Sequence, residues 1–377
     1  MTPTDIASFQ PKAWSILSRA VTSSRVASTY LLWGREGLGH WPLAISFAAL
    51  LNCLERTKDS VGNAAPCGGC LNCRQIFALS FPGLHLVAPI ATHKNLGEAI
   101  DMINAFLEEK RAEPFRIVSS HSPVTIPVDF ARDIKSRLSM KGDKDVRRVV
   151  VFYQMDKMLH ASADALLKMI EEPPLDTTII LTAENPDALL QTIQSRSQRI
   201  RLERVTDTVT ARYLSERYQL DGVKALQTAR LADGNPGQAL SMTDSEGEEE
   251  EGSSQRAVGF LLFKSLFLDS NPTLVSHVTD LLATNDRSQV EGILRLWQSL
   301  IRDCVHYAGT GETEQIVNSD VKADLIAFSR HFDDPQLAST MADAIKNTLA
   351  DIRLNVHISS AVVALALKLG MAIRTSR

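Results

Sequence analysis

Four of the chain's five cysteines fall in one short window, Cys53, Cys67, Cys70 and Cys73, while Cys304 lies far downstream. Their spacing, C-x13-C-x2-C-x2-C, offers four soft thiolates, and each C-x2-C turn lets two sulfurs converge on one ion. Gly68 and Gly69 suit the tight turn after Cys67, and Cys53, at the end of a helical pattern, becomes the far ligand. Four unrelated buried thiols, or a redox C-x-x-C, leave the triple spacing unexplained. The expected chemistry is a structural zinc, because four cysteines leave no open position for catalysis.

A second group precedes the cysteines. A strand-like run, Thr29 to Trp33, is followed by Gly34, Gly37 and Gly39 and then by an apolar pattern at helical spacing. Strand, glycine loop and helix form the context of a phosphate-cradling loop. A working loop continues with Lys, which neutralises the terminal phosphates, and Ser or Thr, whose hydroxyl holds Mg2+. Here those positions are His40 and Trp41. An imidazole is mostly neutral near pH 7, with an unperturbed pKa of about 6.5. An indole offers a metal no oxygen and is large enough to fill the site. The acidic pair that should end the buried strand "RRVVVFYQMDKM" is Tyr153-Gln154, with Asp156 two residues further on. Taken alone, Gly34–Gly39 reads equally well as a plain glycine-rich turn.

These residues need a scaffold. Strand candidates Ser28–Trp33, His85–Ile90, Arg147–Tyr153, Thr177–Ala183 and Gln198–Leu202 alternate with helix candidates Pro42–Leu54, Val128–Met140, Ser162–Glu171 and Pro186–Gln194. The alternation predicts an α/β fold with a mostly parallel sheet covered on both faces. An amphipathic segment, "NLGEAIDMINAFLEEKRAEPF", interrupts it with apolar residues at Leu96, Ile100, Ile103 and Leu107. Beyond Glu203 the pattern is helical only. The acidic run "TDSEGEEEEGSS" reads as a solvated linker, since like charges repel and nothing apolar anchors it. From Gln255 on, wide apolar faces suit a helical bundle or a subunit interface.

The bulk numbers set limits. With 377 residues the chain has room for two or three domains, and a net charge of −4 argues against a general electrostatic nucleic-acid binder. The N-terminal residues carry charges and a proline where a secretory signal needs an apolar core, and no uninterrupted apolar run appears long enough for a bilayer. The expected compartment is the cytoplasm, with no membrane partner. The run "RDIKSRLSMKGDKDVRRV" is locally basic and reads as a solvated face or a site for DNA phosphates.

The block "ADALLKMIEEPPLDTTIILTAENPDALLQTIQSRSQRIRL" resembles the core of the bacterial DNA polymerase III clamp-loader subunits. Those proteins carry A-L-L-K-x-x-E-E-P-P, here Ala165–Pro174, a strand ending near a Thr, here Thr182, and an S-R-C motif, here Ser195-Arg196-Ser197. They also carry a four-cysteine module after the first helix. The resemblance implies an α/β AAA+ core (residues 1–203, a parallel five-stranded sheet with helices on both faces and the zinc module at 53–73). A small helical lid (204–243), an acidic linker (244–254) and an all-α collar (255–377) would follow.

Within that family the sequence resembles delta prime, the type that does not hydrolyse ATP. Gly34, Gly37, Gly39, His40 and Trp41 then form a degenerate loop not expected to bind ATP productively. Gly237, in "GNPGQAL", stands where ATP-binding members place a lid arginine. Arg196 is the residue such subunits lend to a neighbour's ATP. The partners implied are gamma/tau and delta subunits, the sliding clamp and primer-template DNA. Ser197 departs from S-R-C, and the segment 95–115 is foreign to the common core. The alternatives are an ATP-hydrolysing motor subunit of the same machine, or a zinc-stabilised nucleic-acid-binding protein.

Overall fold

The structure is a computed structural model that describes residues 6–91, 96–118, 124–126, 133–134, 137–138, 146–158, 169–244, 251–268, 270–284, 287–313, 316–332, 335–353 and 357–375. It divides into two compact units, Met1–Met242 and Thr243–Arg377. Most of the expected helices Val128–Met140 and Ser162–Glu171, the Ala165–Lys168 part of the clamp-loader motif and residues 245–250 of the acidic run lie outside the described residues.

In the first unit, helices α1 (Ile6–Phe9) and α2 (Pro11–Thr22) lead into strand β1 (Thr29–Trp33) and helix α3 (His40–Asn52). The cysteine module follows, with a two-stranded ribbon, β2 (Thr57–Lys58) and β3 (Ala64–Ala65), and helix α4 (Leu71–Phe77). Strand β4 (Leu84–Val87) re-enters the sheet. The next stretch holds β5 (Ile90–Ala91), helix α5 (Leu96–Ala112) and β6 (Val124–Thr125). Strands β7 (Arg148–Phe152), β8 (Thr177–Ala183) and β9 (Gln198–Arg201) complete the sheet, with helix α6 (Gln191–Arg196) before the last.

The sheet order is β4-β7-β8-β1-β9 and every described pairing in it is parallel. Strands β7 and β8, rich in Val, Ile and Thr, are buried on both faces, which is why they read as continuous apolar runs. Alternate residues feed two clusters: Tyr30, Leu32, Val149, Val151, Ile180 and Ile200 join one, and Leu31, Val150, Phe152, Ile179 and Leu181 the other. This is the α/β arrangement, with a five-stranded parallel sheet, expected from the sequence. It places the carboxyl end of β1, a central strand, at the glycine loop.

Three helices, α7 (Asp207–Tyr218), α8 (Gly222–Leu231) and α9 (Pro236–Asp244), cover the residues expected from sequence to form the lid. The second unit is all helical: α10 (Glu251–Leu268), α11 (Asn271–Thr284), α12 (Arg287–Thr310), α13 (Lys322–Ser329), α14 (Pro335–Arg353) and α15 (Ile358–Thr375). Residues 251–254, read from sequence as linker, are the first turn of α10. Phe263, Phe267, Trp297 and Phe328 centre its core, and the Trp297 indole donates to the Gly259 carbonyl at 2.9 Å. Helix α15 is, by length and composition alone, long and apolar enough to cross a bilayer. Its Val362, Leu365, Ala366, Leu369 and Ile373 are instead buried in this cluster, and charges at Lys368 and Arg374 interrupt the run that hydropathy alone would need.

Candidate functional site

The glycine loop has the backbone of a phosphate cradle. Gly37 (φ 88°) and Gly39 (φ 106°) take left-handed conformations that side-chain-bearing residues avoid, and α3 starts directly after Gly39. What fills the cradle differs from what a nucleotide needs. Helix α3 is buried over its whole length, so His40 and Trp41 point into protein. Trp41 is 1% exposed and meets Phe106 and Tyr153 edge to face, with ring centroids 5.4 and 5.6 Å away. His40 Nε2 has no hydrogen-bond partner among the described residues. Burial, and then the Lys110 charge, pushes the His40 pKa down to about 3, so the ring is neutral.

The acidic-pair positions carry other duties. The Tyr153 hydroxyl donates to Glu36 Oε1 at 3.3 Å and accepts from Lys110 Nζ at 3.1 Å. The Gln154 amide donates to Thr182 Oγ1 at 2.8 Å. Asp156 Oδ2 accepts from the backbone amides of Glu184 and Asn185, both at 3.2 Å, and so tethers the loop after β8. Burial raises the pKa of both Glu36 and Asp156. The space left between Glu36, His40, Tyr153, Asp156, Thr182 and Glu184 is about 10 Å³, room for roughly one water.

Lys110 comes from α5, the segment without an assigned role. Sequence periodicity places Leu96, Ile100, Ile103 and Leu107 on its inner face. The structure rotates the helix: Ala99, Phe106 and Lys110 are buried, whereas Ile100 is 48% exposed. Leu107 still packs on the core, but a lysine on an amphipathic helix is ordinarily assigned to solvent, so periodicity left Lys110 off the inner face. This lysine sits 4.8 Å from the Tyr153 ring centre and donates to the Arg116 carbonyl at 2.5 Å. Burial lowers its pKa to about 8.

Past α5 the chain crosses over the glycine loop. The Phe115 ring lies against Gly39, where an added Cβ would approach its edge to 2.9 Å, and Ile117 reaches Gly37 at 3.0 Å from the equivalent position. Phe115 also packs on Phe9 and Tyr213, at 4.5 and 5.4 Å between ring centroids. The buried carboxylate of Glu113 accepts from the Tyr213 and Tyr218 hydroxyls of α7, while Arg217 donates to the Ala112 carbonyl at 2.9 Å. From the lid, the Gly237 amide donates to the Gly37 carbonyl at 3.0 Å, and Asn235 Nδ2 donates to the Glu36 carbonyl at 2.6 Å. A Cβ on Gly237 would stand 2.6 Å from both Gly37 Cα and the Phe115 carbonyl oxygen. Gly237 is thus a packing residue here: any side chain would pry the lid from the loop.

The neutral imidazole has a measurable consequence. His40 is neutral when folded and titrates near 6.5 when unfolded, so its contribution to stability is complete above that pH. It is lost progressively as the pH falls toward 3, at about 1.4 kcal/mol per pH unit. Between pH 7 and pH 5, unfolding in urea should show the wild type losing about 2 kcal/mol more than His40→Gln. Equal losses would mean that His40 can be charged in place.

The four cysteines converge as their spacing implies. Their Sγ atoms all lie within 4.8 Å of one another, with Cys53 and Cys73 buried and Cys67 and Cys70 half-buried. Backbone amides of Cys67 and Cys70 donate to the sulfurs of Cys53 and Cys67, both at 3.3 Å. Gly68 (φ 71°) supplies the left-handed turn between them. A tetrahedral ion with metal–sulfur bonds of about 2.3 Å fits such a set.

Arg196 ends α6 with its side chain 44% exposed, and it pairs with Glu171 at 3.2 Å. Ser197 satisfies its hydroxyl on the Ile193 carbonyl at 2.7 Å, so the departure from S-R-C leaves no orphaned group. In the basic run, most of which lies outside the described residues, Arg147 donates to Thr178 Oγ1 at 2.8 Å and Arg148 to the Leu138 carbonyl at 2.7 Å. Those two guanidiniums are structural. A feature that sequence reasoning missed lies on β9, where Arg199 and Arg201 both cover the Trp33 ring. Strand alternation carries that signal once β9 is paired with β1.

Several known proteins are similar to this chain. The subunit delta' of DNA polymerase III from Bacillus subtilis is 29% identical over 189 residues, 50% of this chain and 46% of that one. The Haemophilus influenzae delta' is 26% identical over 82% of this chain and 83% of its own length. The tau subunit of Salmonella typhimurium is 26% identical over 72% of this chain and 37% of its own. The match thus spans about half of the Bacillus relative or less of the tau one, and most of the Haemophilus one. Among solved structures, a DNA polymerase III gamma subunit-related protein from Thermotoga maritima aligns over 97% of this chain and 100% of its own, at 13% identity and a TM-score of 0.36. The family model described as DNA polymerase III, delta subunit, matches residues 9–206, more than half of the sequence. With that match, and with the glycine loop, cysteine module and Ser195-Arg196-Ser197 turn carried on one parallel sheet, the chain belongs to the DNA polymerase III delta-subunit family of clamp-loader proteins.

Proposed function

We propose that this chain is a non-hydrolysing, delta prime-like subunit of a DNA polymerase III clamp loader. It helps place the sliding clamp on primed DNA and lends Arg196 to ATP held by a neighbouring gamma/tau-type subunit. The observation that carries this reading is the segment Glu113–Ile117 lying across Gly37 and Gly39. Phosphates bound on the loop amides would need that space. The lysine position of the loop offers them no charge, because His40 is neutral, and Lys110 is engaged with Tyr153 and the Arg116 carbonyl. A motor subunit needs both, so the tau-type relatives do not set the reading.

In this account the cysteine module holds a structural Zn2+ through Cys53, Cys67, Cys70 and Cys73. The second, helical unit serves as the collar that joins the other subunits, and the complex works in the cytoplasm. The test is co-purification with gamma/tau- and delta-type subunits, followed by ATPase assays with and without clamp and primed DNA. Assembly, with stimulated turnover that depends on this chain although it hydrolyses nothing alone, is expected. Failure to assemble, or ATP hydrolysis by the isolated chain, overturns the proposal.

A further inference from the structure

The edge strand β9 carries two arginines whose roles nothing above assigns. In its register with β1, Arg199 lies beside Leu31 and Arg201 beside Trp33. Both therefore project from the face to which Leu31 and Trp33 belong, the face that Ile193 of α6 also packs on. Their guanidinium carbons stand 5.7 and 5.2 Å from the Trp33 ring centre. Both are exposed, and no carboxylate among the described residues pairs with either. Four other arginines of this unit are tied down: Arg35 and Arg204 to Asp233, Arg111 to Glu108, and Arg196 to Glu171.

Two cations so close together repel, and a covered indole alone does not require them. What the arrangement supplies is pre-organisation. Stacking on an aromatic face fixes a planar guanidinium and leaves its N–H edge free for a bidentate anion. Residues two apart on a strand stand about 6.7 Å from each other, so the pair offers two regularly spaced anion sites along an open sheet edge. Among the described residues, strand β9 pairs on one side only, with β1, which leaves the row accessible. A linear polyanion with one charge per repeat fits such a row better than a compact anion, which could satisfy only one fork.

We propose that Arg199 and Arg201, braced by Trp33, form a phosphate-backbone contact for nucleic acid at the edge of the sheet. The contact is sequence-independent, since the guanidiniums would meet phosphates and no base edge. It stands whether or not Arg196 meets a neighbour's nucleotide.

The test uses the full-length chain and a short fluorescein-labelled duplex with a single-stranded overhang, titrated by anisotropy between about 50 and 200 mM salt. Each phosphate contact contributes about 0.9 to the slope of log K against log salt. Arg199→Ala/Arg201→Ala should therefore flatten the slope by about 1.8, so that the wild-type advantage shrinks about tenfold over that range. Arg199→Lys/Arg201→Lys should keep the slope. Both variants should keep the wild-type melting midpoint and metal content, since the substituted groups are exposed.

Four results would overturn the proposal. They are no DNA binding by the wild type at the lowest salt, a slope unchanged in the alanine variant, and a lysine variant as flat as the alanine one, which would mean that the arginines merely shield Trp33. The fourth is displacement of DNA by equimolar inorganic triphosphate, which would assign the pair to a compact polyphosphate. A double variant that binds DNA normally but assembles poorly falls under the second result and would redirect the pair to an acidic protein partner.

Discussion

Arg196→Ala should cut ATP turnover by the reconstituted complex severely while leaving the subunit folded. An arginine supplied to a neighbour's γ-phosphate stabilises charge that develops only in the transition state, and such residues change rates by ~10³–10⁵ at the site they serve. In a complex with several ATP sites the total falls less, but the clamp-dependent part should drop at least about tenfold, with nucleotide binding little changed. The structure makes the fold-neutral half of this expectation concrete. Arg196 is 44% exposed, its Glu171 partner 40%, and an ion pair this open contributes little to stability. To act, the guanidinium must leave Glu171, so Glu171→Gln should keep or raise turnover. An Arg196→Ala complex that loads clamps at the wild-type rate would remove Arg196 from the chemistry.

The second large effect concerns the cysteine module. Cys53 closes α3 and Cys73 lies in α4, and both belong to the same apolar cluster as Tyr30 and Phe47. An ion bound there ties the end of the glycine-loop helix to the module. Structural Zn2+ in small modules contributes about 10–16 kcal/mol of apparent binding free energy, much of it folding free energy. The purified chain should hold one zinc. Cys70→Ser, at a half-buried ligand, should release it and lower the melting midpoint by on the order of 10 °C. Zinc well below one per chain in undenatured protein would dismiss the metal, and the thiols would then need another explanation.

Much of this was legible from residue types. Continuous Val, Ile and Leu runs bounded by turns located the inner strands β1, β7 and β8 to within a residue, because a strand buried on both faces needs no polar alternation. The cysteine spacing and the paired departures His40-Trp41 and Tyr153-Gln154 were equally plain, since each position has a chemical requirement that the residue present fails. Three matters were hidden. Helix α5 turns Lys110 and Phe106 inward, because Trp41 and Tyr153 create an aromatic surface that attracts a cation, and no periodicity of α5 alone reports that surface. The role of Gly237 looked like the loss of an arginine. In space it is the only side chain small enough for the lid to meet Gly37. Pairing between distant strands, which brings Arg201 beside Trp33, is likewise a property of register that local sequence does not encode.

In the proposed reading, the nucleotide pocket is filled from within. Equilibrium titration of the isolated full-length chain with a fluorescent ATP analogue and Mg2+ tests it most directly. No saturable binding at millimolar nucleotide is expected, with zinc bound and the fold intact. Saturable binding at micromolar concentrations, competed by unlabelled ATP, would show that Glu113–Ile117 yields to phosphate and would contradict the account.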